Sequence, residues 1–220
     1  RLLSYGLLSQ PHALAPGDAR FLVGNDRIVI LGDRIFNGPV DHVAMTNVES
    51  ARMATQYLIE RGRTRIAAIG SNPTVSTVSA ASLRLQGYLD AMQAAGLPTP
   101  PERVVVAEEW HLHDGAAAMT YLLDLDERPD AVFCFNDTLA IGALHSIAMR
   151  GLRVPEEIAV IGFDNVPAAQ YAFPPLTTID PGTERIAKHA VDLLAARVSG
   201  RADPPREIFT DSSLIVRRSA

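Results

Sequence analysis

Gly151-Leu-Arg-Val-Pro-Glu-Glu-Ile-Ala-Val-Ile-Gly-Phe-Asp-Asn165 decides how this chain folds. Gly151 suits a helix C-terminus, and Pro155 cannot carry a helix onward because it has no amide hydrogen. Ile158 to Phe163 is apolar at nearly every position instead of alternating. That pattern reads as a strand buried on both faces, as in a parallel sheet covered by helices. Upstream, Pro129-Asp-Ala-Val-Phe-Cys-Phe-Asn-Asp137 is a second strand of the same kind. Asp137 is read as the cap of a helix that places Ala140, Ala143, Leu144, Ile147 and Ala148 on one face.

Further out the alternation continues. Thr46-x-x-Glu49 reads as a capping box for a helix with Ala51, Ala54 and Leu58 on one face and Gly62 as its stop. Arg65 to Gly70 is a strand, Leu83, Leu89 and Met92 mark a helix, Val104 to Ala107 is a strand, and 113–124 is a helix. Strand starts near 65, 103, 130 and 158 fit successive βαβ units, hence an α/β protein. The flanks differ. Tyr5 to Leu8, Arg27 to Leu31 and His42 to Met45 are short strand candidates, with a short helix near 17–23. Residues 183–199 form a helix with Ala187, Val191, Leu194 and Val198 in register, and Glu207 to Thr210 and Leu214 to Val216 are candidate closing strands.

The 220 residues carry 20 Lys and Arg against 25 Asp and Glu, a formal charge of −5. Non-specific nucleic-acid affinity comes from a surplus of basic groups, so this chain is not expected to hold DNA by itself. No stretch approaches the ~18 continuous apolar residues of a membrane span, and no membrane partner is expected. A single cysteine, Cys134, excludes an internal disulfide and favours a reducing compartment. It lies inside a strand, as a buried inert thiol.

In open parallel sheets, ligands bind beyond the carboxyl ends of the strands. Those ends carry Ser71-Asn72, Glu108-Glu109-Trp110, Asn136-Asp137, Asp164-Asn165 and, in the N-terminal part, Gly32-Asp33-Arg34. Carboxylates and amides bond hydroxyls, arginine forks onto paired oxygens, and a flat aromatic stacks on a sugar face. A polyhydroxylated small molecule fits that set. Asp164, directly after a buried strand, is the strongest single candidate. Asn165 can be read as shaping only a turn, and Trp110 as packing only. Nucleophile-elbow, P-loop and dinucleotide signatures are missing. His111-x-His113 beside Glu108 and Glu109 lacks further ligands at metal spacing. His12, His42, His145 and His189 have no evident partners. No metal, cofactor or catalytic residue is assigned.

Taken in order, several phrases resemble one family. They are Ala44-Met-Thr-Asn-Val-Glu-Ser-Ala51, residues 57–70, Arg84-Leu-Gln-Gly-Tyr88, Ala95-Gly-Leu97, Pro129 to Asp137, Gly151 to Asn165, Pro175-Leu-Thr-Thr-Ile179 and Leu214-Ile-Val-Arg-Arg-Ser219. From about residue 27 onward the chain resembles the effector-binding core of LacI/GalR transcriptional repressors. The resemblance implies a two-lobed, periplasmic-binding-protein-like α/β fold with parallel sheets flanked by helices, the N-terminal lobe incomplete. Its lobes would be residues 1–45 with 180–207, and residues 46–179 with 208–220. Arg84, Asn136 and Asp164 match the family's main polar ligand contacts, Trp110 a stacking position in sugar-responsive members, and Asp33 an acidic contact of the N-terminal lobe. A cytoplasmic homodimer is implied, with a carbohydrate as the small-molecule effector and DNA held only through an upstream helix-turn-helix.

Two departures stand out. Thr46 replaces the family's usual Asp, and Asp180-Pro181-Gly182 replaces a segment that commonly holds Gln followed by Pro. The chain opens on Arg1, so an upstream part of a longer product is expected. Two pieces would be missing: the helix-turn-helix DNA reader with its hinge helix, and the first one or two βα units of the N-terminal lobe, the latter roughly 60 residues. Strands would then be lost from the middle of the N-terminal sheet, leaving residues 1–45 poorly ordered, rearranged or covered. A periplasmic sugar-binding protein shares this fold and is the second reading. An enzyme on a sugar or nucleoside, with Asp164 or Asp137 as base, is the third. Hexose, pentose, disaccharide, glycoside and purine all remain open as effectors.

Overall fold

The computed structural model describes residues 6–9, 27–32, 38–72 and 78–220. Asp33, Arg34 and the expected helix near 17–23 lie outside the described residues. The described chain divides into two compact units. One draws on Arg1–Thr46, Thr77–Ala80 and Gly182–Asp211, the other on Asn47–Ser76, Ala81–Pro181 and Ser212–Ala220.

The first unit is a parallel sheet of β1 (Gly6–Ser9), β2 (Ile28–Leu31), β3 (Asp41–Met45) and β9 (Glu207–Thr210), in the order β1-β2-β3-β9. Among the described residues these four strands are hydrogen-bonded neighbours with no gap between them, and β1 lies at one end of the order. Helix α5 (Thr183–Val198) packs on β2 and β3 around Val29, Val43, Ala190 and Leu193. The register read from the sequence for α5 is corrected here. Of that register Leu194 does pack against this core. Ala187, however, is exposed and Val191 and Val198 are 57% and 43% exposed, while Ile186, Ala190, Leu193 and Arg197 form the inward stripe. Aliphatic residues occupy both stripes, and the buried arginine breaks the apolar pattern on the true inner one.

Arg197 is inward because Asp41 is fully buried beneath it. Its Nε and Nη2 donate to the two carboxylate oxygens at 2.7 and 2.9 Å, and the Arg206 amide donates to Oδ1 at 2.7 Å. Burial alone would raise the Asp41 carboxyl. The hydrogen bonds from Arg197 and Arg206, with the charges of Arg197 and Arg201, outweigh it and hold the group below its ordinary 3.8. The bidentate fork explains why two charges are tolerated in this core. His42 also gains partners, Glu207 at 2.9 Å and the Gly32 carbonyl.

The second unit is a six-stranded sheet in the order β10-β8-β7-β6-β4-β5. Its strands are β4 (Ile66–Ser71), β5 (Val104–Val106), β6 (Ala131–Cys134), β7 (Ala159–Phe163), β8 (Thr177–Asp180) and β10 (Ser213–Ile215). All pairs are parallel except β8 with β10. Helices α1 (Asn47–Glu60), α2 (Ala80–Ala94), α3 (Leu112–Leu123) and α4 (Asp137–Met149) flank it. Ala51, Ala54 and Leu58 are fully buried, as the period of α1 requires; on α4, Ala148 is the exposed exception. On α2 the inner face is Ala81, Arg84, Tyr88, Ala91 and Met92, with Leu83 and Leu89 only half-buried. Again a buried arginine holds a position that an apolar-only search skips. Strand order reverses between β4 and β6, and that crevice is where ligands enter such sheets.

Replacing Arg197 with Met leaves the Asp41 carboxylate buried without its fork. Denaturant unfolding of the variant is expected to show a loss of about 3–5 kcal/mol at neutral pH. Because the Asp41 carboxyl is depressed in the folded chain, its contribution is present above pH 3.8 and disappears as pH falls through the folded value, so the two proteins should converge in acid.

Candidate functional site

The carboxyl ends of β6 and β7 meet the start of α1 and the inner face of α2 at one guanidinium. Arg84 is 3% exposed. Its Nε donates to Asn47 Oδ1 at 2.8 Å, its Nη1 to the Phe135 carbonyl, and its Nη2 lies 3.8 Å from Asp164 Oδ1. Its Cζ sits 3.6 Å from the centroid of the Phe163 ring and 5.5 Å from that of Trp110. Cation–π contact and charge-assisted bonds together make burial tolerable. Asp164, with its side chain 37% exposed, is the accessible end of this assembly. Because Nε can only donate, Asn47 must present its oxygen to Arg84, which turns Asn47 Nδ2 away. That amide nitrogen is buried with no acceptor.

Trp110 has φ 58°, and its Nε1 donates at 3.0 Å to the carbonyl of Gly70. Gly70 itself is at φ +119°, and a Cβ there would lie 2.7 Å from Phe135 Cβ, so only glycine lets β4 pass so close to β6. Trp110 meets Phe135 edge-on at 6.3 Å between centroids. The indole is therefore locked at the reversal point, partly buried against the core of this unit.

The cap of α4 expected at Asp137 is formed by Asn136, its Oδ1 accepting the Leu139 amide at 2.7 Å, while Nδ2 donates to the Trp110 carbonyl at 3.4 Å. Asp137 is fully buried. Its Oδ1 accepts the Thr178 hydroxyl at 2.5 Å and its Oδ2 the Val166 amide at 2.8 Å. Burial pushes its carboxyl up from 3.8 to about 6; the two hydrogen bonds oppose this, the Asp164 charge adds to it and Arg217 opposes it. Asn165 acts as a strut, accepting from Arg217 Nη2 at 2.7 Å and donating to Asp180 Oδ2 at 3.1 Å. Burial and the neighbouring Asp137 raise the Cys134 thiol, which suits an inert side chain.

The structure thus brings together four residues expected from the sequence: Arg84, Asn136, Asp164 and Trp110. Asp33 lies outside the described residues. Sequence reasoning assigned no role to Asn47, Phe163, Thr178, Asp180 or Arg217. Asn47 sat inside a quoted motif, but its link to Arg84, 37 positions on, is tertiary. His111 and His113 stand at the entrance of α3, where the His111 amide donates to Asp114 at 2.9 Å. Among the described residues no cluster of three or more His, Cys, Asp or Glu is placed to hold a metal. No described helix is long and apolar enough to cross a membrane.

Residues 55–220 match the model of the periplasmic binding protein-like domain. A regulator from Sanguibacter keddieii assigned to the LacI family is 43% identical, with a TM-score of 0.81 over 88% of this chain and 71% of that one. The chain belongs to the LacI/GalR family. The HTH-type transcriptional repressor PurR of Vibrio atlanticus is 35% identical over 81% of this chain and 52% of that protein. This LacI/GalR chain therefore spans about half the length of such relatives. A complex of the transcriptional regulator CelR with cellobiose is 35% identical, with a TM-score of 0.79 over 88% of this chain and 58% of that one.

Asp137→Asn removes the buried charge and keeps the shape. A carboxyl raised in the folded chain contributes stability below pH 3.8 that is lost as pH rises through about 6. Relative to the Asn variant, the wild type should lose on the order of 2–3 kcal/mol between about pH 4 and about pH 7, measured as the difference between two denaturant-derived stability curves.

Proposed function

We propose that this chain is the effector-binding core of a LacI/GalR-type transcriptional regulator, with a carbohydrate as effector. The observation that carries the reading is the constellation at the strand reversal. Asp164 offers acceptors for hydroxyls, Arg84 stands behind it, and Trp110 presents a flat ring. The relative seen in complex with cellobiose supports the sugar class. Relatives carrying the words HTH-type transcriptional repressor favour a regulator over a transporter's binding protein. The regulatory relatives also weigh against an enzyme, and Asp137, fully buried with both oxygens engaged, has no face to offer a substrate as base.

In this reading Arg84, Asn136, Asp164 and Trp110 contact the effector, joined by Asp33. The lobes comprise residues 1–45 with 180–207 and 46–179 with 208–220. The protein acts in the cytoplasm as a homodimer, and effector occupancy is relayed to an upstream helix-turn-helix that holds the DNA.

A thermal-shift panel of cellobiose, glucose, ribose and adenine tests the reading. A cognate sugar at a hundredfold excess over its Kd contributes about 2.7 kcal/mol, a rise of several degrees. Trp110, the only tryptophan, should change its emission on the same addition. Asp164→Ala is expected to abolish both responses while leaving the sugar-free Tm within a few degrees. A shift with adenine alone would replace the sugar by a nucleobase, and an unchanged response in Asp164→Ala would remove Asp164 from the site.

A further inference from the structure

Asp164 and Asn165 both adopt left-handed backbone conformations, at φ 108° and 51°, and neither is glycine. Such conformations cost free energy and persist only where surrounding contacts over-determine them. The contacts here are specific. The Asp164 amide donates to the Ile179 carbonyl at 2.9 Å, the Asn165 amide to Thr178 Oγ1 at 3.4 Å, and the Val166 amide to Asp137 Oδ2 at 2.8 Å. Thr178 can accept from Asn165 because its own proton goes to Asp137 Oδ1. One carboxylate thus holds both the residue that leaves the turn and the hydroxyl that supports its middle.

We propose that Asp137 is the positioning residue of this site: by clamping the Val166 amide and the Thr178 hydroxyl, it keeps the Asp164 turn in the conformation that presents its carboxylate to an effector. The inference rests on the reading of Asp164 as an effector contact. Two further features point the same way. Gly162 has no positive φ to require glycine, yet a Cβ there would lie 2.2 Å from Asp137 Oδ1, so the strand gives up a side chain to admit this carboxylate. Capping does not explain Asp137 either, since Asn136 does that, and a carboxylate at the first turn of a helix would serve the helix dipole equally well from the surface. A group desolvated at position 137 is explained by the two donors it gathers.

Residue-resolved amide hydrogen exchange on the whole chain reads the clamp without any ligand. In Asp137→Ala the Val166 amide should exchange about tenfold faster, while the Phe133 and Val160 amides of β6 and β7 keep their protection. Asp137→Asn retains one carbonyl oxygen and should restore most of the Val166 protection. Thr178→Val preserves shape, removes the second arm, and should expose the Asn165 amide selectively. Equal Val166 exchange in wild type and Asp137→Ala would overturn the proposal, as would loss spread evenly over β6 and β7, or failure of Asp137→Asn to rescue. If Asp137→Ala does not fold, Asp137→Asn and Thr178→Val decide between the same outcomes. Calorimetric titration with cellobiose separates this inference from the reading beneath it. Binding lost in Asp164→Ala but kept in full in Asp137→Ala defeats the positioning role alone. Binding unaffected by Asp164→Ala defeats the site assignment and leaves the exchange result to judge the clamp.

Discussion

A guanidinium taken out of water must have its donors met and its charge answered, and Arg84 imposes that demand on everything around the strand reversal. Asn47 answers it from the start of α1, Phe135 from the end of β6, and Asp164 from the loop after β7, while Phe163 lies against the guanidinium face. Four segments far apart in the chain are thereby brought to one point. Trp110 is drawn into the same assembly through Gly70 and Phe135. The accessible groups there owe their positions to a residue that is itself almost wholly hidden.

A second buried charge complements the first. Asp137 and Arg84 lie on opposite sides of the Asp164 turn in the bonding scheme, one holding its far end and its supporting hydroxyl, the other answering its carboxylate. The first unit repeats the principle with Asp41 and Arg197, where a bidentate fork fixes α5 against β3. Pairs of this kind contribute little net stability compared with apolar substitutes, but removing one partner is costly. That asymmetry makes each a determinant of register. It is also why the inner stripe of α5 carries an arginine.

Legibility in the sequence followed the physics of each element. Strands β4, β6 and β7 of the second unit were readable because a strand buried on both faces is apolar at nearly every position, as Ile158 to Phe163 is. With its buried Thr177 and Thr178, β8 was not readable as a strand. Alpha-helical periods were readable where apolar residues keep the helical spacing on the inner face, as Ala51, Ala54 and Leu58 do on α1 beside the small polar Ser50 and Thr55. They failed on α2 and α5, where Arg84 and Arg197 face inward and aliphatic residues such as Leu83 and Val191 lie partly or largely exposed. Asp137 was assigned the cap that Asn136 forms, because both residue types cap well and the sequence cannot say which one the backbone turns toward the first amides. Asp164 stood out from its place after a buried strand, whereas Asn47, Thr178 and Arg217 had no local mark.

The amino-acid sequence by itself determined the α/β class, the parallel strands β4 to β7 of the second unit, the family resemblance and the residues at the strand ends. Each of these is written in short-range patterns of burial, turn and cap, or in ordered motifs. The tertiary structure alone decided which charges are buried, which residue caps α4, and how the Asp164 turn is held in its left-handed form. Those outcomes depend on partners such as Asp137 with Thr178, 41 positions apart, and Asp41 with Arg197, 156 apart. A hydrogen bond between such groups leaves no periodic trace along the chain, because its geometry exists only once the strands have paired.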